Sequence, residues 1–441
     1  MNKKLAYSIG AVATALSYQA FSTYIIFFYV DVMKLAAGLA ALAMVVYAAW
    51  NAVNDPVAGF ISDRTSTPFG RRIPYIAVGA VPFGLIYYLL WAPPFSASQM
   101  IGLFIYFLVM ICLFDLFYTV VVLNWASLFP EMFPSLQERV EVNSLRQAFG
   151  MVGLMIGISI PPLLYSTIGW RSMGLIFGAI IAAVFLISLL GSREKKEFSR
   201  DKPLGIKEAF GKTFNKRSFL TFVISNVFIQ YTFTMVLAVI PFFAKYVLMV
   251  GPGRTSAILF TAFAAAFSAM FVWRIVVMHF GSKSSYLLAI IVLMLSLFPL
   301  FFVKNFFSCA ISSVFIGIGL AGIILISDIL ISDIIDEDEL RTKTRREGIY
   351  FGFNALVTRA AIALEAGSLG SMFLLTGYDP NILIQPDIYI SGIRFLIAGL
   401  PIISLVIAFV IMLYYPLASA KLNQIRSELE IMHKEKLGMI E

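Results

Sequence analysis

Apolar residues along this chain run almost unbroken for about 18 positions or more, stop at a short polar stretch, and start again. Each run is long enough to cross a hydrocarbon core of roughly 30 Å at about 1.5 Å per helical residue. The pattern predicts twelve spans, at about 5 to 32, 38 to 62, 73 to 92, 99 to 124, 142 to 168, 172 to 191, 218 to 248, 254 to 280, 284 to 303, 306 to 333, 348 to 375 and 390 to 415. Strands of a membrane barrel would read as alternating segments of about ten residues, and these runs are longer and continuous. The expected fold class is an all-α membrane protein.

Composition agrees. With 60% apolar and 13% charged residues, the chain lies outside the range of soluble domains. The first run is too long, and too poor in a small-residue cleavage site, to be a removable signal, so it is expected to stay. Cys112 and Cys309 fall in separate spans and imply neither a disulfide framework nor a metal site. Neither His279 nor His433 sits beside a nucleophile or ligand cluster, and no Walker-type phosphate loop occurs. An enzyme, a nucleotide-driven pump and a resident cofactor are therefore not expected.

The formal charge of +8 is spent in the loops, so it argues for membrane orientation and against nucleic-acid binding. Lys3, Lys4, Arg64, Arg71, Arg72, Arg139, the basic residues from Arg193 to Arg217, Lys283, those from Arg341 to Arg346, and the tail lysines fall on one side. Lys34, Arg171, Arg254 and Lys304 fall on the other. This asymmetry puts both termini and the central loop in the cytoplasm, with the chain in the cell membrane.

The stretch at 192–217 is the one long polar interruption. It divides the chain into 1–191 and 218–415, six spans each, followed by a tail at 416–441 that reads either as an amphipathic surface helix or as solvated chain. Six plus six with cytoplasmic termini is the layout of the major facilitator fold, two six-helix bundles flanking a cavity. Phe280-Gly281-Ser282-Lys283, after span eight, is a degraded counterpart of the stretch from Gly59 to Arg72 after span two.

Polar groups inside an apolar span are costly unless something binds them. On span two, Asn51, Asn54 and Asp55 are spaced i, i+3 and i+4 and share a helical face. Their oxygens and single carboxylate suit a hard monovalent cation, or a proton on the acid. The plain structural reading is that Asp55 caps a kink at Pro56 or pairs with a basic residue. On span four, Asp115 lies four residues before Thr119, on nearly the same face, at a depth comparable to Asp55.

Several motifs together resemble one family. They are Asn54-Asp55-Pro56, Gly59 to Asp63-Arg64-Thr65 with Gly70-Arg71-Arg72, Tyr118-Thr119, Ser127-Leu128-Phe129-Pro130-Glu131, Glu138-Arg139 to Arg146, and Arg345-Arg346-Glu347-Gly348 with Phe351-Gly352. The chain is similar to the glycoside-pentoside-hexuronide:cation symporters, the melibiose permease family of the major facilitators, with the animal sodium-dependent lysolipid symporters as relatives. The resemblance implies alternating access, a coupling ion (sodium or proton), a small organic solute and surrounding lipid as partners, and a monomer.

It also implies sites. Asn54, Asp55 and Thr119 match the family's cation site, but Asn51 replaces its first aspartate. Asp115 is our own candidate for the missing carboxylate. Sugar-binding members carry an Asp on span one and another on span four, where this chain has Ala15 and Val122. Polar substitutes nearby are Tyr18, Gln19, Asn124 and Trp125. Arg146 matches the family, and Arg359 stands where a Lys is usual, as a counter-ion to Asp55 or a contact for an anionic substrate. Gating is expected from Asp63, Arg64, Arg71 and Arg72, and from an acidic-basic run, Asp336 to Arg345 and Arg346, read as a short surface helix. Glu365 and Arg394 are read as members of buried ion pairs. A sugar, glycoside or uronide is the first expectation for the solute. A lysolipid-like anion is the alternative within the class, and an uncoupled facilitator or scramblase retaining the fold is the alternative outside it.

Overall fold

The computed structural model of the protein describes residues 3–65, 67–68, 70–133, 136–194, 216–342, 347–382, 384–417 and 419–438. Among these, all regular structure is helical. The first six long helices are α1 (Lys3–Val32), α2 (Ala37–Arg64), α3 (Ile73–Leu90), α4 (Met100–Met132), α5 (Leu136–Ser159) and α6 (Gly169–Leu189). The second set is α7 (Arg217–Val247), α8 (Pro252–Leu297), α9 (Phe306–Thr342), α10 (Glu347–Thr376) and α11 (Asp387–Leu413). A final helix, α12 (Ser419–Gly438), carries the tail.

Helix limits follow local chemistry. Pro74 sits in the first turn of α3, where a missing N–H costs nothing. Asn305 caps α9, its Oδ1 accepting from the backbone N–H of Ser308 at 2.9 Å and from its hydroxyl at 3.0 Å. Pro161 and Pro162 remove donors after α5, and the chain bends by 42° before continuing as Pro161–Thr167.

Nine helices among the described residues are long and apolar enough to cross a membrane, and the bent pair makes ten. α8 is about 69 Å long at about 1.5 Å per residue, more than twice a hydrocarbon core. It breaks at Gly281, whose φ of 76° and ψ of 167° are open to glycine and strained for any other residue. Trp273 before the break and Ala289 after it both lie against Gly322 of α9, so α8 folds back as two spans. These helices are consistent with the layout that the apolar runs predict.

Two compact units are present: Met1–Lys202 with Leu237–Leu259 and Ala366–Ile393, and Pro203–Val236 with Phe260–Glu365 and Arg394–Glu441. In the first, α3 and α6 approach at Gly84 and Gly178, where a Cβ on Gly84 would come within 2.4 Å of the Gly178 carbonyl oxygen. Small residues let helix backbones meet where lipid offers no hydrophobic drive.

One expectation changes in the second unit, and the two readings of the tail separate. The acidic run after span ten is the end of α9 itself, which continues to Thr342. Its side chains turn inward: Asp333 accepts from the Ser282 hydroxyl at 2.8 Å, Asp338 pairs with Lys216 at 2.5 Å, and Glu337 accepts from Ser218 and faces Lys421 at 3.4 Å. An acid on a surface loop would be hydrated, whereas these sit where neighbouring helices supply donors. The tail, in turn, forms a helix whose Leu422, Ile425, Leu429 and Met432 make a buried stripe.

Candidate cation and substrate site

α2 and α4 pack side by side in the first unit and bring together all five residues expected of the cation site. Asn51 and Asn54 both donate through their side-chain nitrogens to the carboxylate of Asp115, Asn54 at 2.9 Å. Asn54 also reaches the Asp115 carbonyl at 3.1 Å and the Thr119 hydroxyl at 3.0 Å. Thr119 in turn donates to Asp55 at 2.6 Å. Asn54, Asp115 and Thr119 are buried, and Asp55 is half-buried.

The direction of these bonds carries chemical meaning. Asn51 and Asn54 donate to Asp115 and Thr119 donates to Asp55, as an ionised carboxylate accepts. The partners of Asp115 are neutral: Asn51, Asn54 and Tyr47, which adds a hydrogen bond. A carboxylate that is 2% exposed and held by neutral groups lacks compensating positive charge from them. Oxygens of two acids, two carboxamides and a hydroxyl are the donor set for a hard cation. Tyr47 was not expected, although its place four residues before Asn51 put it on the same face.

The other expected residues are placed as follows. Trp125 is buried, its indole N–H donating to the Tyr7 carbonyl at 3.1 Å while Tyr7 donates to the Trp125 carbonyl at 2.9 Å. Its one donor is spent on α1–α4 packing. Arg146 lies over the rings of Trp125 at 4.7 Å and Phe129 at 4.8 Å, a cation–π seat. Asn124 donates to Val120 at 2.8 Å, and its buried Oδ1 has no partner among the described residues. Tyr18 packs on Tyr118 with ring centroids 5.7 Å apart, and Gln19 is half-buried on the next position of α1. Arg359 is half-buried on α10, in the second unit.

In the loop after α2, Arg64 stacks on Phe60 at 3.3 Å, and the side chain of Asp63 lies outside the described residues. Here sequence reasoning missed the acid that organises the loop. Glu194, beyond α6, accepts the backbone N–H groups of Arg71, Arg72 and Ile73 at 2.7, 2.6 and 2.8 Å, capping α3. Asp336 is half-buried on α9, while Arg345 and Arg346 lie outside the described residues.

A second polar cluster was also missed. Asp31, 2% exposed, receives Lys245 at 2.5 Å, the Tyr378 hydroxyl at 2.6 Å and the Tyr246 hydroxyl. Burial, and then the Asp31 charge, push the Tyr378 hydroxyl well above the usual tyrosine range, so it stays a donor. Asp31 and Lys245 lie on copies of one device. α1 and α7 both finish in a π-helical turn, Phe27–Val32 and Phe243–Val247. Met33 and Leu35 bond back to Phe28 and Tyr29 as Leu248 and Val250 bond back to Phe243 and Ala244. Positive φ follows at Lys34 (61°) and Met249 (50°). The sequence signal was Phe27-Phe28 recurring as Phe242-Phe243.

A multi-pass helical fold with a paired-acid network between its second and fourth spans defines a membrane transporter of the major facilitator class. The chain belongs to the family described as MFS/sugar transport protein, whose model matches residues 6–419, and within it to the glycoside-pentoside-hexuronide:cation symporters. It is 26% identical over 523 residues to the uncharacterized symporter sll1374 of Synechocystis sp., covering 97% of this chain and 96% of that one. The putative glycoside/cation symporter YagG of Escherichia coli is 24% identical over 458 residues, with 99% and 96% covered. The sodium-dependent lysophosphatidylcholine symporter 1-A of Danio rerio is 21% identical over 478 residues, with 97% and 88% covered. In fold, the chain is similar to a bacterial homolog of the human lysosomal transporter Spinster, solved inward-facing and unoccupied, with a TM-score of 0.67 at 13% identity and 97% of both chains covered.

Proposed function

We propose that this transporter is a symporter that draws a sugar or glycoside across the cell membrane with a monovalent cation, its termini in the cytoplasm. The observation that carries the coupling is the Asp55–Thr119–Asn54–Asp115 network, in which Thr119 donates to Asp55 and Asn54 to Asp115. A cation entering it replaces neutral donors as the partner of two carboxylates, drawing α2 and α4 into one arrangement. Occupancy favours solute binding, and the return step separates the outer ends of α1 and α7 by breaking the Asp31–Lys245 contact. The family description and the glycoside/cation relative support a sugar. Ala15 and Val122, where sugar-binding members carry acids, favour the second reading, a lysolipid like that named for the Danio rerio relative.

The test is uptake by proteoliposomes under sodium, lithium or proton gradients, offered glycosides, uronides and lysolipids. Accumulation of a glycoside driven by sodium or lithium supports the proposal. A proton gradient acting alone assigns Asp55 or Asp115 as a proton carrier. Indifference of binding and flux to all three overturns coupling.

A further inference from the structure

The hairpin formed by the second arm of α8 and the start of α9 encloses a groove of about 940 Å³ that no step of transport uses. It lies within the second unit, at the turn between spans nine and ten, which the expected span order puts on the side away from the termini. Its walls are apolar and turned outward: Leu295, Phe298, Phe302, Ile311 and Phe315 are each more than half exposed. Its mouth is polar, with Lys304, Asn305 and Ser308 at the turn between the helices. None of the lining residues is acidic, and Lys304 is the one cation among them.

The turn that shapes the mouth is held from beneath. Arg394, at the start of α11's π-helical turn, donates to the carbonyls of Leu300, Phe301 and Val303 at 3.0, 2.7 and 2.8 Å. This guanidinium was expected in an ion pair. It fixes three carbonyls of the turn immediately before Lys304, and brings a second positive charge to the same end of the groove. Side-chain mobility alone would let a lysine at such a turn drift into water. With Val303 pinned, Lys304 starts from a fixed backbone position at the groove's edge.

We propose that this groove is a binding site for an anionic phospholipid of the leaflet opposite the termini. Lys304 takes the phosphate, and an acyl chain lies along the phenylalanine-lined wall. The volume is within the range of about 300–1,000 Å³ usual for a built ligand site. The apolar wall alone would accept any lipid. The cation at the groove's mouth, with no acid among the lining residues, selects among them, because a lysine near a membrane surface attracts anionic lipid and does little for a zwitterionic one.

The experiment uses the full-length protein in nanodiscs with a diazirine-bearing phosphatidylglycerol, mapping the labelled peptides. We expect label on the peptides spanning 292–315, competed by unlabelled phosphatidylglycerol and not by phosphatidylcholine. Lys304→Gln should lower that labelling about fivefold, the effect of one cation at a membrane surface, with labelling elsewhere on the chain unchanged as evidence of folding. Ser308→Trp, which fills the mouth and keeps the charge, should lower it as well. Equal competition by phosphatidylcholine, labelling of 292–315 that ignores Lys304→Gln, or no labelling there at all overturns the proposal.

Discussion

Asp31 and Lys245 stand 214 positions apart, yet the lysine Nζ lies 2.5 Å from the aspartate Oδ2. Each closes the π-helical end of a long span, and Lys245 also lies 4.7 Å above the ring of Tyr246. The pair is asymmetric: Asp31 is 2% exposed and Lys245 33%. Lys245→Ala, which leaves Asp31 buried, should cost about 1.5–3 kcal/mol of this contact, the worth of a charged hydrogen bond. Single-cysteine reporters at the ends of α1 and α7 should then label faster, and the double exchange Asp31→Lys with Lys245→Asp should restore slow labelling. Unchanged labelling in Lys245→Ala would show that the contact does not hold these ends together.

The two acids of the proposed cation site separate by substitution. Asp55→Asn and Asp115→Asn should each weaken cation affinity about 10- to 100-fold, from about 1.5–3 kcal/mol per charged hydrogen bond. Cation-dependent protection against thermal unfolding reads this directly. If Asp115 stands in for the acid missing at Asn51, then Asn51→Asp should recover affinity in the Asp115→Asn background. Normal affinity of Asp115→Asn alone would remove Asp115 from the site.

Glu194 should matter for stability more than for binding. Its carboxylate accepts three successive backbone N–H groups at the start of α3, so Glu194→Ala leaves those donors without their cap. We expect a loss of about 1–2 kcal/mol, measured as a lower Tm in detergent with cation affinity intact. Glu194→Gln, which keeps one accepting oxygen, should lie between. An unchanged Tm for Glu194→Ala would mean that water caps α3 equally well.

At the end of α9, Lys216 and Asp338 form a pair with side chains 6% and 0% exposed. Removing one partner of such a pair strands the other, at about 3–5 kcal/mol. Asp338→Ala should therefore destabilise far more than the joint replacement Lys216→Met with Asp338→Leu. Comparable losses in the two variants would place the energy in packing.

Much of this protein is fixed by its sequence. Continuous apolar runs leave helices as the workable spanning structure, since a backbone in hydrocarbon must satisfy its own hydrogen bonds. Most span limits follow from it within a few residues, although α4 and α9 run eight and nine residues further and α5 starts six earlier, and the i, i+3, i+4 spacing of Asn51, Asn54 and Asp55 marked the candidate site. Periodicity describes one helix at a time, however. That Asp115 faces Asn51 and Asn54, that Trp125 spends its N–H on Tyr7, and that Glu194 caps a helix more than a hundred positions earlier depend on which helices become neighbours. The same holds for Asp31, an acid at the end of a span until the tertiary structure brings Lys245, Tyr246 and Tyr378 to it. Hydrophobic burial is non-directional and sets the spans. Polar partners inside a membrane are directional, and only the packed helices decide where each donor finds its acceptor.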